Sequence, residues 1–309
     1  MSRPPTFVPP PCARARTLAT ARGGFAVLDA RPVDGRSAKG AVLLLPGFTG
    51  SKEDFIALLE PFAAAGYRAV TVDGRGQYET PGPDDESAYA QGELARDVLA
   101  QAAVLTAEDG RAPHLLGHSL GGLVARAAVL LDPAAFASLT VMSSGPAAVS
   151  PGQQARAKML ADALGVLSMA EIWEAMRAMD PPTDAAEGTQ VTDATADADS
   201  TADSPADSDE PALRARWLRH HPAQLGATAR QLCTEPDRVA ELAATALPKH
   251  VLSGAHDDAW PVPWLDDMAA RLGAHRSVIS GADHSPNTDR PAETAAALLA
   301  FWDRHALQQ

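Results

Sequence analysis

The stretch His114-Leu-Leu-Gly-His-Ser-Leu-Gly-Gly-Leu-Val-Ala-Arg126 places one serine between two glycines, after an apolar run and before an amphipathic segment. The apolar run is typical of a buried strand, and residues 120–131 have the periodicity of a helix. A sharp turn between strand and helix strains the backbone of Ser119, and Gly117 and Gly121 remove side chains that would collide there. We therefore expect the Ser119 hydroxyl to point outward at a helix N-terminus, where free amides favour an anion.

The rest of the chain alternates short apolar runs with longer helical segments, the pattern of repeated βα units around a mainly parallel sheet. An antiparallel hairpin with a Gly23-Gly24 turn is expected at the sheet edge. We predict an α/β fold with a mixed, mostly parallel eight-stranded sheet and helices on both faces. The predicted parallel strands are 41–45, 68–72, 113–116, 139–142, 250–253 and 277–280. The predicted helices are 53–65, 89–106, 120–131, 262–272 and 290–307.

One long segment, residues 150–247, contains no strand-like run, and its apolar residues recur at helical spacing. We predict an all-helical insertion there, with residues 1–149 and 248–309 forming the core domain. Within the insertion, residues 183–210 contain nine carboxylates and neither Lys nor Arg. Because this acidic loop has few large apolar side chains, it is predicted to be disordered.

Charge and composition exclude several classes of protein. The formal net charge is −13, so we expect no nucleic-acid partner, although the acidic loop carries most of that excess. Cys12 and Cys233 are too few for a disulfide framework or a cysteine metal site. The chain has no run of eighteen apolar residues and no apolar leader at its N-terminus, which predicts a cytoplasmic protein without a membrane partner.

Two segments, one acidic and one containing glycines, do not match known ligand-binding motifs. Residues 193–199 lack the glycine and the glutamate that an EF-hand loop needs. Residues 47–52 lack the spacing and the Gly-Lys pair of a phosphate-binding P-loop. The sequence therefore predicts no metal and no cofactor.

A serine hydroxyl is a weak nucleophile unless a base removes its proton and a third group orients that base. His284 directly follows the last predicted strand, and Asp257 follows the strand before it. Because the carboxyl ends of parallel strands meet at one edge, we expect both side chains to lie near Ser119. Asp258 is the alternative acid, and Asp257 is preferred because it comes first after its strand.

Two backbone amides are expected to hold the negative oxygen that forms during attack on a carbonyl. Leu120 N–H follows the nucleophile, and Phe48 N–H lies in the loop after the first parallel strand, where Gly47 lets the backbone turn. His118 precedes the nucleophile in sequence. Since neighbouring residues on such a turn point apart, His118 is expected in a wall of the site.

The order of these motifs on an alternating β/α background resembles the α/β-hydrolase superfamily over residues 15–307. The resemblance implies that Ser119 is the nucleophile, His284 the general base and Asp257 the orienting acid. It also implies that the amides of Phe48 and Leu120 form an oxyanion hole and that the helical insertion is a cap domain.

One further motif resembles the family only in part. Residues 73–76, Asp-Gly-Arg-Gly, resemble the family's turn after its next strand. Residues 77–81, Gln-Tyr-Glu-Thr-Pro, depart from its usual small-residue continuation. The departure leaves the shape of this loop open.

The leading hypothesis for function is hydrolysis of an ester-like small molecule through an acyl-enzyme on Ser119. The resemblance also allows hydrolysis of lactones or thioesters, carbon–carbon bond cleavage, or perhydrolysis by the same three residues. Family members that open epoxides or remove halide carry aspartate at the position of Ser119, so both reactions are disfavoured. A non-catalytic ligand-binding receptor is the alternative from another class.

An apolar pocket is expected above the nucleophile, with a preference for small to medium hydrophobic acyl groups. The candidate pocket residues are His118, Met142, Trp173 and Trp260. The alternative for each is an ordinary position in the core. The sequence gives no indication of the oligomeric state.

Overall fold

One sheet of eight strands forms the centre of the structure, a computed structural model that describes residues 3–32, 38–179 and 210–306. Its strands are β1 (Ala13–Thr20), β2 (Gly23–Ala30), β3 (Gly40–Leu45), β4 (Tyr67–Val72), β5 (His114–His118), β6 (Ser138–Met142), β7 (Lys249–Gly254) and β8 (His275–Ile279). Their order in the sheet is β1-β2-β4-β3-β5-β6-β7-β8. Pairing is antiparallel between β1 and β2 and between β2 and β4, and parallel between the other neighbours. The predicted mixed, mostly parallel sheet is confirmed.

Helices lie on both faces of this sheet, as predicted. They are α1 (Ile56–Ala64), α2 (Gln91–Asp109), α3 (Leu120–Leu131), α4 (Pro151–Leu164), α5 (Met169–Met179), α6 (Glu210–Arg219), α7 (Pro222–Thr234), α8 (Val239–Ala243), α9 (Val262–Leu272), α10 (Pro286–Asp289) and α11 (Pro291–Ala306). The predicted bounds of α3 and α9 agree with the structure, whereas predicted helix 53–65 begins with a 3-10 turn at Lys52–Phe55. Among the described residues, none of the helices is long and apolar enough to cross a bilayer.

Strand β3 shows how an apolar run produces two cores. All six of its residues are buried, and successive side chains point to opposite faces of the sheet. Leu43 and Leu45 join the apolar cluster that packs α2, α3 and α9 against one face. Val42 and Leu44 join the cluster that packs α1 and α11 against the other face. The sheet is therefore held rigidly from both sides, and the loops at its carboxyl edge start from fixed points.

The hairpin at the sheet edge differs from the prediction in its turn. Thr20 pairs with Gly23, so the two-residue turn is Ala21-Arg22 and Gly23 already belongs to β2. The Thr20 hydroxyl donates to Gly23 O and accepts from Arg22 N, which closes the turn early. Gly23 is still needed, because its φ of 121° is a conformation that other residues rarely adopt.

A helical segment, α4 to α8, lies between β6 and β7, where the sequence predicts an insertion. Its apolar side chains form a third cluster with Ile172, Trp173, Leu213, Trp217 and Leu225 at its centre, called here the helical cluster. The predicted acidic loop 183–210 lies outside the described residues except for Glu210, which begins α6. The domain limits at 150 and 247 stay predictions.

Candidate active site

Ser119 lies in a strained turn between β5 and α3. Its φ of 54° and ψ of −120° fall outside the regions that residues with a side chain normally occupy. Two backbone hydrogen bonds hold the turn, because Ser119 N donates to Met142 O at 2.9 Å and Ser119 O accepts from Gly122 N at 2.9 Å. Strain of this kind persists only where the surrounding structure fixes it, and it is concentrated at functional sites.

The glycines on either side of Ser119 allow strand and helix to approach each other. A Cβ at Gly117 would collide with the backbone of Gly121. A Cβ at Gly121 would collide with Leu45 O and would lie 2.6 Å from Pro46 O. Both obstacles are backbone atoms of rigid elements, so neither can move aside cheaply.

We expect Gly121→Ala to lower the free energy of unfolding by about 3 kcal/mol, as overpacking in a close-packed interior does. Urea unfolding followed by circular dichroism measures the change. Gly152→Ala is the matched control, because a Cβ there meets nothing within 4 Å. At this exposed second position of α4, the control should keep the free energy of unfolding within about 0.5 kcal/mol of the wild type. Equal stabilities of the two variants would contradict the expectation.

The structure brings Ser119, His284 and Asp257 into one chain of hydrogen bonds. Ser119 Oγ lies 3.0 Å from His284 Nε2, and His284 Nδ1 lies 3.0 and 2.9 Å from the two carboxylate oxygens of Asp257. A carboxylate only accepts, so Nδ1 carries the ring proton and Nε2 accepts from the Ser119 hydroxyl. The arrangement can therefore remove a proton from Ser119.

Asp257 and His284 differ in their exposure to solvent. The Asp257 side chain is fully buried, whereas the His284 side chain is 33% exposed. Asp257 Oδ1 also accepts from Ala259 N at 2.8 Å and from Trp260 N at 3.0 Å. These amides fix the carboxylate, so the imidazole is held in one orientation.

Two predicted pocket residues lie directly against His284. His118 Nε2 donates to His284 O at 2.8 Å, and burial lowers the pKa of His118 to about 4, so its ring is neutral. The Trp260 ring stacks 6.3 Å from the His284 ring and its indole donates to Ala147 O. Both side chains are buried. Both side chains therefore pack against His284 and restrict its position.

The other two predicted pocket residues lie elsewhere. Met142 is fully buried in the cluster that packs α1 and α11 against one face of the sheet. Its contact with the site in this structure is the backbone carbonyl that accepts from Ser119 N, and its assignment to the pocket stays a prediction. Trp173 belongs to the helical cluster, against which Phe48 packs.

The loop after β3 contains Phe48 and bends sharply at Gly47. Gly47 O accepts from Gly50 N at 3.2 Å and from the side-chain amide of Gln77 at 2.9 Å. Leu120 is the first residue of α3, so its N–H is one of the amides without a partner inside the helix. In the sequence, Gln77 stands out only as part of a departure from a family pattern, and nothing in its spacing points to Gly47.

Asp54, at the end of the same loop, connects three parts of the chain that the sequence did not link. Its carboxylate lies 2.8 Å from Arg216 on α6, and both side chains are fully buried. Its backbone carbonyl accepts from Asn287 Nδ2 at 2.7 Å, three residues after His284. His220 Nε2 lies 3.1 Å from Gly50 O. The helical segment is thus fastened to the loop that carries Phe48.

A cluster of charged side chains surrounds Lys52 beside this loop. Its ammonium lies 2.9 Å from Asp73, 2.9 Å from Glu53 and 2.7 Å from Glu79. These pairs neutralise the buried cation. Within the parts of the chain that the structure describes, no group of three or more His, Cys, Asp or Glu side chains is arranged to hold a metal ion.

Comparisons with known proteins agree with this architecture. A family model described as "Alpha/beta hydrolase family" matches residues 42–297. RutD of Variovorax paradoxus, provisionally assigned as a carbamate hydrolase, is 37% identical over 113 residues, which are 37% of this chain and 40% of that protein. An sn-1-specific diacylglycerol lipase of Mus musculus is 30% identical over 121 residues, 39% of this chain and 38% of that protein.

The chain thus spans about 40% of the length of these curated relatives. Likeness to solved structures extends further. A thermophilic esterase from Thermogutta terrifontis superposes with a TM-score of 0.70 at 20% identity, covering 95% of this chain and 100% of the esterase. At this identity, the likeness shows a common fold.

Proposed function

Because the chain belongs to the α/β-hydrolase family, we propose that it is a serine hydrolase that cleaves a small to medium hydrophobic ester-like substrate through an acyl-enzyme on Ser119. The observation that carries this proposal is the continuous hydrogen-bonded chain from Ser119 through His284 to Asp257. The relatives named for hydrolysis of a carbamate and of diacylglycerol support carbonyl chemistry in general.

In the proposed reaction, Ser119 Oγ bonds to the substrate carbonyl carbon while His284 Nε2 takes the hydroxyl proton. The electron pair of the carbonyl bond moves to oxygen, where the N–H groups of Phe48 and Leu120 hold the negative charge. His284 then gives its proton to the leaving oxygen as the carbon–oxygen bond breaks. Water then attacks the carbonyl carbon of the acyl-enzyme while His284 Nε2 takes its proton. The bond to Ser119 Oγ breaks, His284 returns the proton to Oγ, and the acid is released. Asp257 stabilises the imidazolium in both halves of the reaction.

The helical segment supports the apolar side of the proposal. Phe48 packs both against the main core cluster and against the helical cluster, so an acyl group beside Phe48 would lie among apolar side chains. The Arg216–Asp54 pair fastens α6 over the same loop. We propose on this basis that residues 150–247 act as a cap that excludes water from the acyl site.

A fluorophosphonate probe tests whether Ser119 is activated. We expect the probe to modify the folded protein at Ser119, with the adduct found by mass spectrometry in the peptide that spans the elbow. Ser285, which directly follows His284, is an internal comparison and should stay unmodified. Heat-denatured protein is the control, because labelling must depend on the assembled site. Folded protein that resists the probe would contradict the proposal.

Pre-steady-state kinetics test the acyl-enzyme itself. With a short-chain p-nitrophenyl ester, we expect a burst of p-nitrophenol equal to the concentration of labelled sites, followed by slower turnover. Turnover that appears only with peroxide or with a diketone would instead favour perhydrolysis or carbon–carbon bond cleavage.

A further inference from the structure

The proposed oxyanion donor Phe48 N–H belongs to the same peptide group as the carbonyl of Gly47. In a planar trans peptide, the C=O and the N–H point in opposite directions. A group that binds Gly47 O therefore also fixes the direction in which Phe48 N–H points. The contacts on Gly47 O decide whether the oxyanion hole is formed before the substrate arrives.

Gln77 makes the shorter of the two hydrogen bonds to Gly47 O that the structure shows. Its Nε2 donates to Gly47 O at 2.9 Å, and its Oε1 accepts from Gly74 N at 3.0 Å. Gly47 O can only accept and Gly74 N can only donate, so the orientation of the amide is unambiguous. With 6% of its surface exposed, Gln77 is held without competition from bulk water.

The loop that presents Gln77 is itself strained. Gly76 and Tyr78, its neighbours in sequence, have φ values of 74° and 36°. Two cations lie against the Tyr78 ring: its centroid is 4.6 Å from the Lys52 ammonium and 4.9 Å from the Arg219 guanidinium. A positive φ at a bulky residue costs free energy and persists where neighbouring contacts fix it. Here those contacts hold Gln77 beneath Gly47.

We propose that Gln77 is a positioning residue of the oxyanion hole: its amide orients and polarises the Gly47–Phe48 peptide, so that Phe48 N–H is a stronger and better aimed donor. A hydrogen bond to a peptide oxygen strengthens the N–H of the same peptide as a donor. This inference rests on the proposed function of Ser119. Because negative charge develops on the substrate oxygen in the transition state and is absent in the bound ester, the contribution of Gln77 falls on kcat and leaves KM nearly unchanged.

Two substitutions at Gln77 separate its donor from its acceptor. Gln77→Leu removes both groups at similar volume. Gln77→Glu keeps an acceptor for Gly74 N and places a second acceptor opposite Gly47 O. Gln101→Leu is the matched control, because Gln101 is equally buried, on α2, and the same change there leaves the Gly47 peptide untouched.

We expect Gln77→Leu, and Gln77→Glu above the pKa of its new carboxyl group, to lose kcat for a p-nitrophenyl ester by about ten- to a hundredfold, less than the loss of an oxyanion donor itself. A trifluoromethyl ketone inhibitor, which binds serine hydrolases as an oxyanion, should weaken by the same factor. The KM of the ester and the Ki of the matching methyl ketone, which stays uncharged, should hardly change. Gln101→Leu should leave all four quantities close to their wild-type values.

The pH dependence of Gln77→Glu provides a readout that structural damage does not imitate. Above the pKa of the new carboxyl group, its oxygens oppose Gly47 O. Below that pKa, its O–H donates to Gly47 O and restores the missing bond. The ratio of variant kcat to wild-type kcat should therefore rise as the pH falls. The charged groups around this loop are identical in both proteins; they are Lys52, Glu53, Asp73, Arg75, Glu79, Asp97 and Arg219.

Three results would overturn the inference. One is a kcat in both Gln77 variants that stays close to that of the wild type. Another is an equal loss of substrate and methyl ketone binding, which would indicate general damage to the site. The third is a kcat ratio for Gln77→Glu that does not depend on pH. Failure of the proposed function is a different outcome, because wild-type protein would then resist the fluorophosphonate probe.

Discussion

Replacing Ser119 with alanine is expected to lower kcat for a p-nitrophenyl ester about a million-fold, the scale on which serine hydrolases lose activity with their nucleophile. Without Oγ, the imidazole of His284 has no hydroxyl to deprotonate and no acyl-enzyme forms. The fold should survive, because the turn is held by backbone hydrogen bonds from Ser119 N and to Ser119 O. Steady-state kinetics and a thermal melt of the same preparation measure both effects.

The matched control for this substitution is Ser143→Ala. Ser143 follows β6, is fully buried and also has a positive φ, 47°. Alanine at this position replaces a strained serine just after β6. It leaves the hydrogen bonds among Ser119, His284 and Asp257 unchanged. It should leave kcat close to that of the wild type. If Ser119→Ala kept a few per cent of the activity, another group would have to be the nucleophile.

Asp257→Asn is expected to lower kcat about 10,000-fold, the loss seen when the acid of such a triad becomes an amide. Ala259 N and Trp260 N both donate to Oδ1 of Asp257, so the amide oxygen of asparagine would stay on that side. The amide nitrogen would then face His284 and donate to Nδ1. This forces the ring proton onto Nε2, where it faces Ser119 Oγ and prevents deprotonation.

Asp258→Asn is the control for charge at this loop. Asp258 is the next residue and is exposed, and the same change removes one negative charge beside the site. Its kcat should stay near the wild-type value, because surface charges act weakly through solvent. Equal losses in the two variants would mean that the net charge of the loop matters and that the hydrogen bond to His284 does not.

Much of the fold could be predicted because its signals are local. The apolar run before Ser119 and the helical period after it are set by neighbouring residues, so the bounds of α3 follow from the sequence. The hairpin turn was misplaced because the Thr20 hydroxyl closes it before the glycine pair. The burial of Met142 in the core could not be predicted, because its strand alternates between two buried faces and composition alone does not tell which face is which.

The meeting of Ser119, His284 and Asp257 could be expected from their positions, since each follows a parallel strand of one sheet. Their catalytic roles stay predictions until kinetics test them. The contacts of Asp54 with Arg216 and of Gln77 with Gly47 could not be expected in this way. They join loops and helices far apart in the chain, and their geometry depends on how finished elements pack.

The buried pair between Asp54 and Arg216 sets a condition for any attempt to change substrate range by exchanging the helical segment for that of another hydrolase. Asp54 stays with the recipient sheet, whereas Arg216 leaves with the segment. In a chimera without an equivalent guanidinium, the buried Asp54 carboxylate would lose this counterion. Breaking a buried ion pair of this kind costs about 3–5 kcal/mol. Grafts into this scaffold should therefore carry the arginine with them, or replace Asp54 at the same time.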